Sequence, residues 1–278
     1  MEDTHKMIPV HKIPKDCSSE QHAKFSFFGV FDGHAGVKAA EYAEENLFLN
    51  FVNHSKAYAN PEVALRDSFE LTESGFREIA LEKGFMDGTT AVVAVLVDDR
   101  LVVGNVGDSE LVLCRGRTAM VLTKMHNTKK NKEEAERVKA AGGRIWKDYL
   151  GHPKFNPAAV SLAVSRAIGD VFFKDDQFTD GLPSGLTAEP DISVVDITRE
   201  DRFFIMSCDG LWDVMSSQQA VEVVLGALER GSDADAVSKE LVDMAMHMGS
   251  KDNITVIVAL LSPLDIMALD QQKQQIFS

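Results

Sequence analysis

An α+β fold, with antiparallel sheets and helices packed outside them, is predicted by two patterns along the chain. Apolar, β-branched runs come as adjacent pairs joined by short polar connections. Stretches with helical spacing are grouped between those pairs instead of alternating with single strands. The chain has 278 residues, 45% of them hydrophobic, which is enough for one substantial core or at most two domains.

The N-terminal third reads strand, helix, helix. Phe25–Phe31 is the strand. The spacing of Ala40, Ala43, Leu47 and Phe51 predicts one helix, and that of Leu65, Phe69, Phe76 and Ile79 a second. Asn60 as N-cap, Pro61 at the first helical position and Gly84 just past the end punctuate the second. Two strand pairs follow: Ala91–Val97 with Leu101–Val106 around Asp98-Asp99-Arg100, and Leu111–Cys114 with Met120–Leu122 around Arg115-Gly116-Arg117. Lys132–Ala141 reads as a charged helix ended by Gly142-Gly143.

From Lys147 to Ser184 the chain is rich in Gly, Pro, Asp and Lys, with one apolar block, Val160–Ile168. Such a stretch is either a functional loop region or poorly ordered. Ile192–Ile197 and Phe203–Cys208 return to strand. A helix starts near Ser217, and another is capped by Ser232 with Asp235 three residues on. Ile254–Leu261 is the last strand, and a Gln-rich tail follows Pro263.

The formal charge is −14, and no block of Lys or Arg stands out, which argues against a nucleic-acid-binding face. Such acidity suits cationic peptide partners or solubility. Cys17, Cys114 and Cys208 are odd in number and far apart; they give no disulfide framework and no zinc spacing. That fits a reducing interior, cytoplasm or nucleus. No apolar stretch approaches the roughly 18–20 residues of a membrane span. The polar start Met-Glu-Asp-Thr-His-Lys is unlike a signal or transit peptide.

Four aspartates sit at the ends of apolar runs: Asp32, Asp108, Asp209 and Asp252. Brought together, they would repel unless they took up protons or a cation, and hard divalent ions with oxygen ligands are the natural partners. Each also has a plainer reading. Asp-Gly is first of all a turn signal, which is how Asp180-Gly181 and Asp87-Gly88 are read. Asp252-Asn253 could equally initiate a turn into the last strand. If a helical turn begins at Gly210, Asp209 and Asp213 face the same way. His34, just after Asp32-Gly33, suits proton transfer. No thiol-phosphatase loop, Gly-x-Ser-x-Gly elbow or P-loop is present.

Seven blocks then occur in one order: Met1–His5, Phe31–Gly36, Asp87–Ala91, Val106–Ser109, Leu162–Asp170, Cys208–Asp213 and Lys251–Thr255. Together they resemble the signature blocks of the metal-dependent protein phosphatases, the type 2C serine/threonine family. The resemblance implies a four-layer α-β-β-α sandwich of two antiparallel sheets. It implies a catalytic domain over residues 1–262, with a flap and substrate-loop region at about 125–187, and a short tail over 263–278. It implies two Mn²⁺ or Mg²⁺ ions: Asp32 bridging them, Asp209 and Asp252 completing the first, Glu2 and the Gly33 carbonyl holding the second. Asp108 and Asp213 match positions for a weaker third ion. His34 matches the general acid. The activity implied is hydrolysis of phosphoserine and phosphothreonine in proteins by a hydroxide bridging the ions, with no covalent intermediate. The partners implied are phosphoproteins, met by a monomer.

Two departures stand out. Family members carry a phosphate-binding Arg a few residues before Met-Glu-Asp, on a first strand; both are expected to lie before Met1. Where the family often has Asp-His after the second strand pair, this chain has Met125-His126. A non-catalytic binding module is therefore a competing reading. A two-metal nuclease or small-molecule phosphohydrolase is another, and the lack of a basic face argues against the nuclease.

Overall fold

A computed structural model describes residues 2–14 and 22–261. Strands β1 (Thr4–Pro14) and β2 (His22–Phe31) are followed by the two-residue β3 (Gly33–His34) and by helices α1 (Lys38–Val52) and α2 (Pro61–Lys83). Then come β4 (Gly88–Thr89), β5 (Ala91–Val97), β6 (Arg100–Val106), β7 (Glu110–Arg115), β8 (Thr118–Val121) and α3 (Lys132–Ala140). Short pieces fill the next stretch: β9 (Arg144–Trp146), β10 (Tyr149–Gly151), β11 (Ser161–Leu162), β12 (Ile168–Gly169), α4 (Val171–Lys174) and α5 (Asp176–Thr179). The described chain closes with β13 (Asp191–Asp196), β14 (Asp201–Ser207), α6 (Asp209–Trp212), α7 (Ser217–Glu229), α8 (Ala234–His247) and β15 (Val256–Leu260).

One sheet has strand order β1-β2-β5-β6-β13, the other β15-β14-β7-β8, and their pairings are antiparallel. Val92, Ala94, Leu101 and Val103 of the first sheet pack on Leu111, Leu113, Phe204 and Met206 of the second. The alternate residues Val93, Val95 and Phe27 face outward onto Leu47, Phe51, Leu65 and Phe69 of α1 and α2. Val112, Phe203 and Ile205 likewise face Val221, Val224, Leu225 and Leu241 of α7 and α8. Central strands buried on both faces read as unbroken apolar runs. The result is the expected four-layer α-β-β-α sandwich.

Local signals act where the sequence places them. Asn60 accepts from the Val63 N–H, and Gly84 takes a left-handed φ of 74° to end α2. Three differences have a local physical reason. The α8 cap is Asp233, whose carboxylate accepts from the Ala236 N–H at 2.9 Å, one residue beyond Ser232. The last strand starts at Val256, because Asp252–Thr255 are drawn into loop contacts. Strand β1 has no sequence signal, since Pro9 and Pro14 interrupt its pattern. It lies at the sheet edge, with a register irregularity between Ile8 and His11, where a proline is tolerated.

The Lys147–Ser184 stretch is ordered around His152, which is fully buried. Its Nδ1 accepts from the Lys154 and Phe155 N–H groups, its Nε2 donates to the Phe172 carbonyl at 2.8 Å, and its ring packs on Phe155, Phe172 and Phe173. Asp180-Gly181 stays a surface turn. Asp87 is more than a turn residue: its buried carboxylate accepts from the Ala39 N–H at 2.8 Å and secures the start of α1. Among the described residues no helix is long and apolar enough to cross a membrane. The tail at 263–278 and Cys17 lie outside the described residues.

Candidate active site

One end of the sandwich collects the acids. Strand β2 ends at Phe31 and delivers Asp32; β6 ends at Val106 and delivers Asp108; β14 ends at Ser207 and leads to Asp209 at the head of α6; the loop before β15 carries Asp252. Glu2 comes from the far end of the sequence, tied in by its N–H donating to Asn253 Oδ1 at 2.9 Å. Gly33 lies so close that a Cβ there would stand 2.5 Å from the Glu2 carbonyl oxygen. Glu2, Asp32, Gly33, His34, Asp108, Asp209 and Asp252 share one cavity of about 280 Å³, with Thr90 and residues Ser161 to Val164.

The electrostatics of this cavity are those of acids without a counter-charge. Asp32 is pushed up to about 9, first by burial and then by Asp3, Asp209, Asp108 and Asp252. Asp209 rises to about 7, through burial and then Asp108, Asp252, Asp213 and Asp3. Asp108 is also raised, mainly by burial. Among the described residues, no Lys or Arg lines the cavity. A larger groove of about 700 Å³ lies between α2 and residues 181–190, yet its Lys174 is already paired with Glu73 and its Arg137 with Glu134.

A family model for protein phosphatase 2C matches residues 1–254. The chain belongs to the protein phosphatase 2C family. It is 37% identical over 231 residues to Probable protein phosphatase 2C 59 of Arabidopsis thaliana, covering 83% of this chain and 68% of that protein. Its rice namesake, from Oryza sativa subsp. japonica, is 37% identical over 233 residues, 83% of this chain and 65% of that protein. The chain thus spans about two thirds of the length of these relatives. In fold it is similar to the crystal structure of a serine-threonine phosphatase 2C from Toxoplasma gondii (TM-score 0.71, 23% identity, 93% of this chain and 98% of that one). It is also similar to a C. elegans sex determining protein (TM-score 0.71, 21% identity, 96% and 66%).

Phosphatase 2C proteins are metal-dependent as a family, and the donor set here suits hard cations. Carboxylate and carbonyl oxygens line the cavity, and the carboxyls most strongly raised are those that a divalent charge would relieve. Asp3 Oδ1, at the cluster's edge, is buried without a hydrogen-bond partner. Among the described residues no three acidic, His or Cys side chains close on a single point, so the donors line a shared cleft and not a finished cage.

Four groups around this phosphatase 2C cleft were given no role by the sequence. Asp170 is one: both its carboxylate oxygens lie 2.9 Å from His34 Nε2. An ionised carboxylate only accepts, so Nε2 carries the proton in that contact. Burial alone would lower the His34 pKa, but Asp170, joined by Asp108 and Glu2, turns the net shift upward. Gly88 makes room for the pair; a Cβ there would fall 2.1 Å from Asp170 Oδ2. Asp3, beside Glu2 in the first motif, accepts from Thr255 Oγ1 at 2.8 Å and adds charge near Asp32. The other two are Glu110 and Lys130. Asp213 stands apart from the other predicted site residues: it is exposed, and its Oδ1 accepts from Lys130 Nζ at 2.7 Å.

Proposed function

We propose that this chain hydrolyses phosphoserine and phosphothreonine in proteins, with Glu2, Asp32, Asp209, Asp252 and the Gly33 carbonyl holding two Mn²⁺ or Mg²⁺ ions. The observation that carries this reading is the convergence of Glu2, Asp32, Gly33, Asp209 and Asp252 on one cavity that, among the described residues, no Lys or Arg lines. When bound, such ions supply an acidified water and neutralise phosphate charge. The chain's own residues do the rest. Asp32, at the centre of the acids, would be a ligand to both ions. Asp170 holds His34 at Nε2, so the proton offered to a departing serine or threonine oxygen is the one on Nδ1. The raised His34 pKa favours the protonated ring that this task needs. Residues Ser161 to Val164 bring the loop-rich stretch to the cleft wall, where a substrate chain would pass. Residues 1–262 form the proposed catalytic domain.

A binding module without turnover is the second reading, favoured by a cavity in which, among the described residues, no Lys or Arg stands to grip a phosphate. One assay separates the two: a phosphothreonine peptide with Mn²⁺, with and without chelator, beside Asp209→Asn. Turnover that needs Mn²⁺ and disappears in Asp209→Asn supports the enzyme. Peptide binding without phosphate release at any Mn²⁺ level supports the module.

A further inference from the structure

We infer that Lys130 is the resident cation of an outer acidic group formed by Asp108, Glu110 and Asp213, filling with an ammonium the place where the resemblance implies a third metal ion. This rests on reading the inner acids as ligands for two ions.

The pair alone proves little. The Lys130 and Asp213 side chains are 43% and 58% exposed, and an isolated surface ion pair contributes little to stability. What distinguishes this one is how the lysine is held. Its N–H donates to Asn127 Oδ1 at 2.8 Å, and Asn127 Nδ2 donates in turn to Asp108 Oδ2 at 3.2 Å. One buried asparagine therefore joins the lysine's backbone to the acid that lines the cleft. The next residue, Asn131, fixes the same turn by donating from Nδ2 to the Met125 carbonyl at 2.8 Å and by capping α3. The flexible side chain thus starts from a braced base and ends 2.7 Å from Asp213.

The charge pattern agrees with this geometry. Asp108, Glu110 and Asp213 are the acids whose charge faces Lys130. A divalent ion reaching for Asp108 and Asp213 would find one carboxylate engaged and a positive charge beside it. The expected third ion therefore does not fit this chain with Lys130 in place.

Counting bound Mn²⁺ by loss of the free-ion EPR signal, up to millimolar Mn²⁺, tests this on the full chain. Wild type is expected to bind two ions per chain. Lys130→Met and Lys130→Gln, at an exposed position that leaves the core untouched, are each expected to gain a weaker third. Adding Asp213→Asn to either should return the count to two. A wild-type chain that binds three ions and loses one in Asp213→Asn overturns the inference. So do lysine variants that still bind two. If wild type binds no more than Asp209→Asn, the two-ion reading fails and takes this one with it.

Discussion

Glu134 and Asp32 are both carboxylates shielded from water, and the protein treats them in opposite ways. Glu134 accepts from Arg137 Nη2 at 2.9 Å, from Ser165 Oγ at 2.7 Å and from Arg166. Burial would raise it, but those donors hold it down at about 2. Asp32 has acids for neighbours and is driven up to about 9. The first carboxylate is satisfied inside the chain and ties α3 to the loop at Ser165–Arg166. The second stays short of positive charge until something from outside supplies it. Within one molecule, the identity of the partner separates a structural acid from a candidate ligand more clearly than depth of burial does.

The contrast can be broken at either acid. The largest effect is expected at the cleft. Asp32→Asn should lower metal-dependent turnover by roughly 10³-fold, equivalent to about 4 kcal/mol of barrier. The same change should leave the melting temperature in chelator equal or higher, because it replaces a carboxyl that only acids surround. A clear drop in that melting temperature would place Asp32 with the structural acids. Next in size, Glu134→Gln should cost about 3 kcal/mol, since it removes the negative charge that two partly buried arginines share. Urea unfolding measures this, and a loss below about 0.5 kcal/mol, the scale of an exposed pair, would erase the distinction.

The last expected effect is on pH dependence, and its sign differs between the two acids. Asp32 and Asp209 have folded values above their unfolded ones. Their contribution to stability is present in acid and is lost as pH rises toward about 7 and about 9. Glu134 has a depressed value, so its contribution is present above its unfolded pKa and is lost as pH falls toward about 2. The protein in chelator should therefore be most stable in mild acid. Between pH 5.5 and 8 its melting temperature should fall steadily. Added Mn²⁺ should flatten that decline, and thermal scans at the two pH values give the comparison directly.

Much of this architecture was legible because the signals are local. Asn60 and Gly84 cap α2 through contacts a few residues away, and Ala91–Val97 is apolar because both of its faces are covered. Strand β1 was not legible: Pro9 disrupts the pattern, and pairing with β2 makes it a strand regardless. The site divides in the same way. Asp32, Asp108, Asp209 and Asp252 announce themselves at the ends of apolar runs. Asp170 and Lys130 do not, because their partners His34 and Asp213 lie 136 and 83 residues away. Only the fold brings those groups together. Asp3 sat in a recognised motif, and Glu110 beside one, yet an acidic residue next to a turn carries no sign of which way it points.

The contact between the Glu2 N–H and Asn253 Oδ1 bridges 251 positions of sequence. It also sets a timetable for biosynthesis. At the usual pace of translation, tens of seconds separate the emergence of these two residues from the ribosome. Strands β1, β2, β5 and β6 can already pair in that interval, while the cleft still lacks one of its walls. A nascent chain would therefore carry four paired strands of the first sheet and an open cleft until Asn253 has emerged.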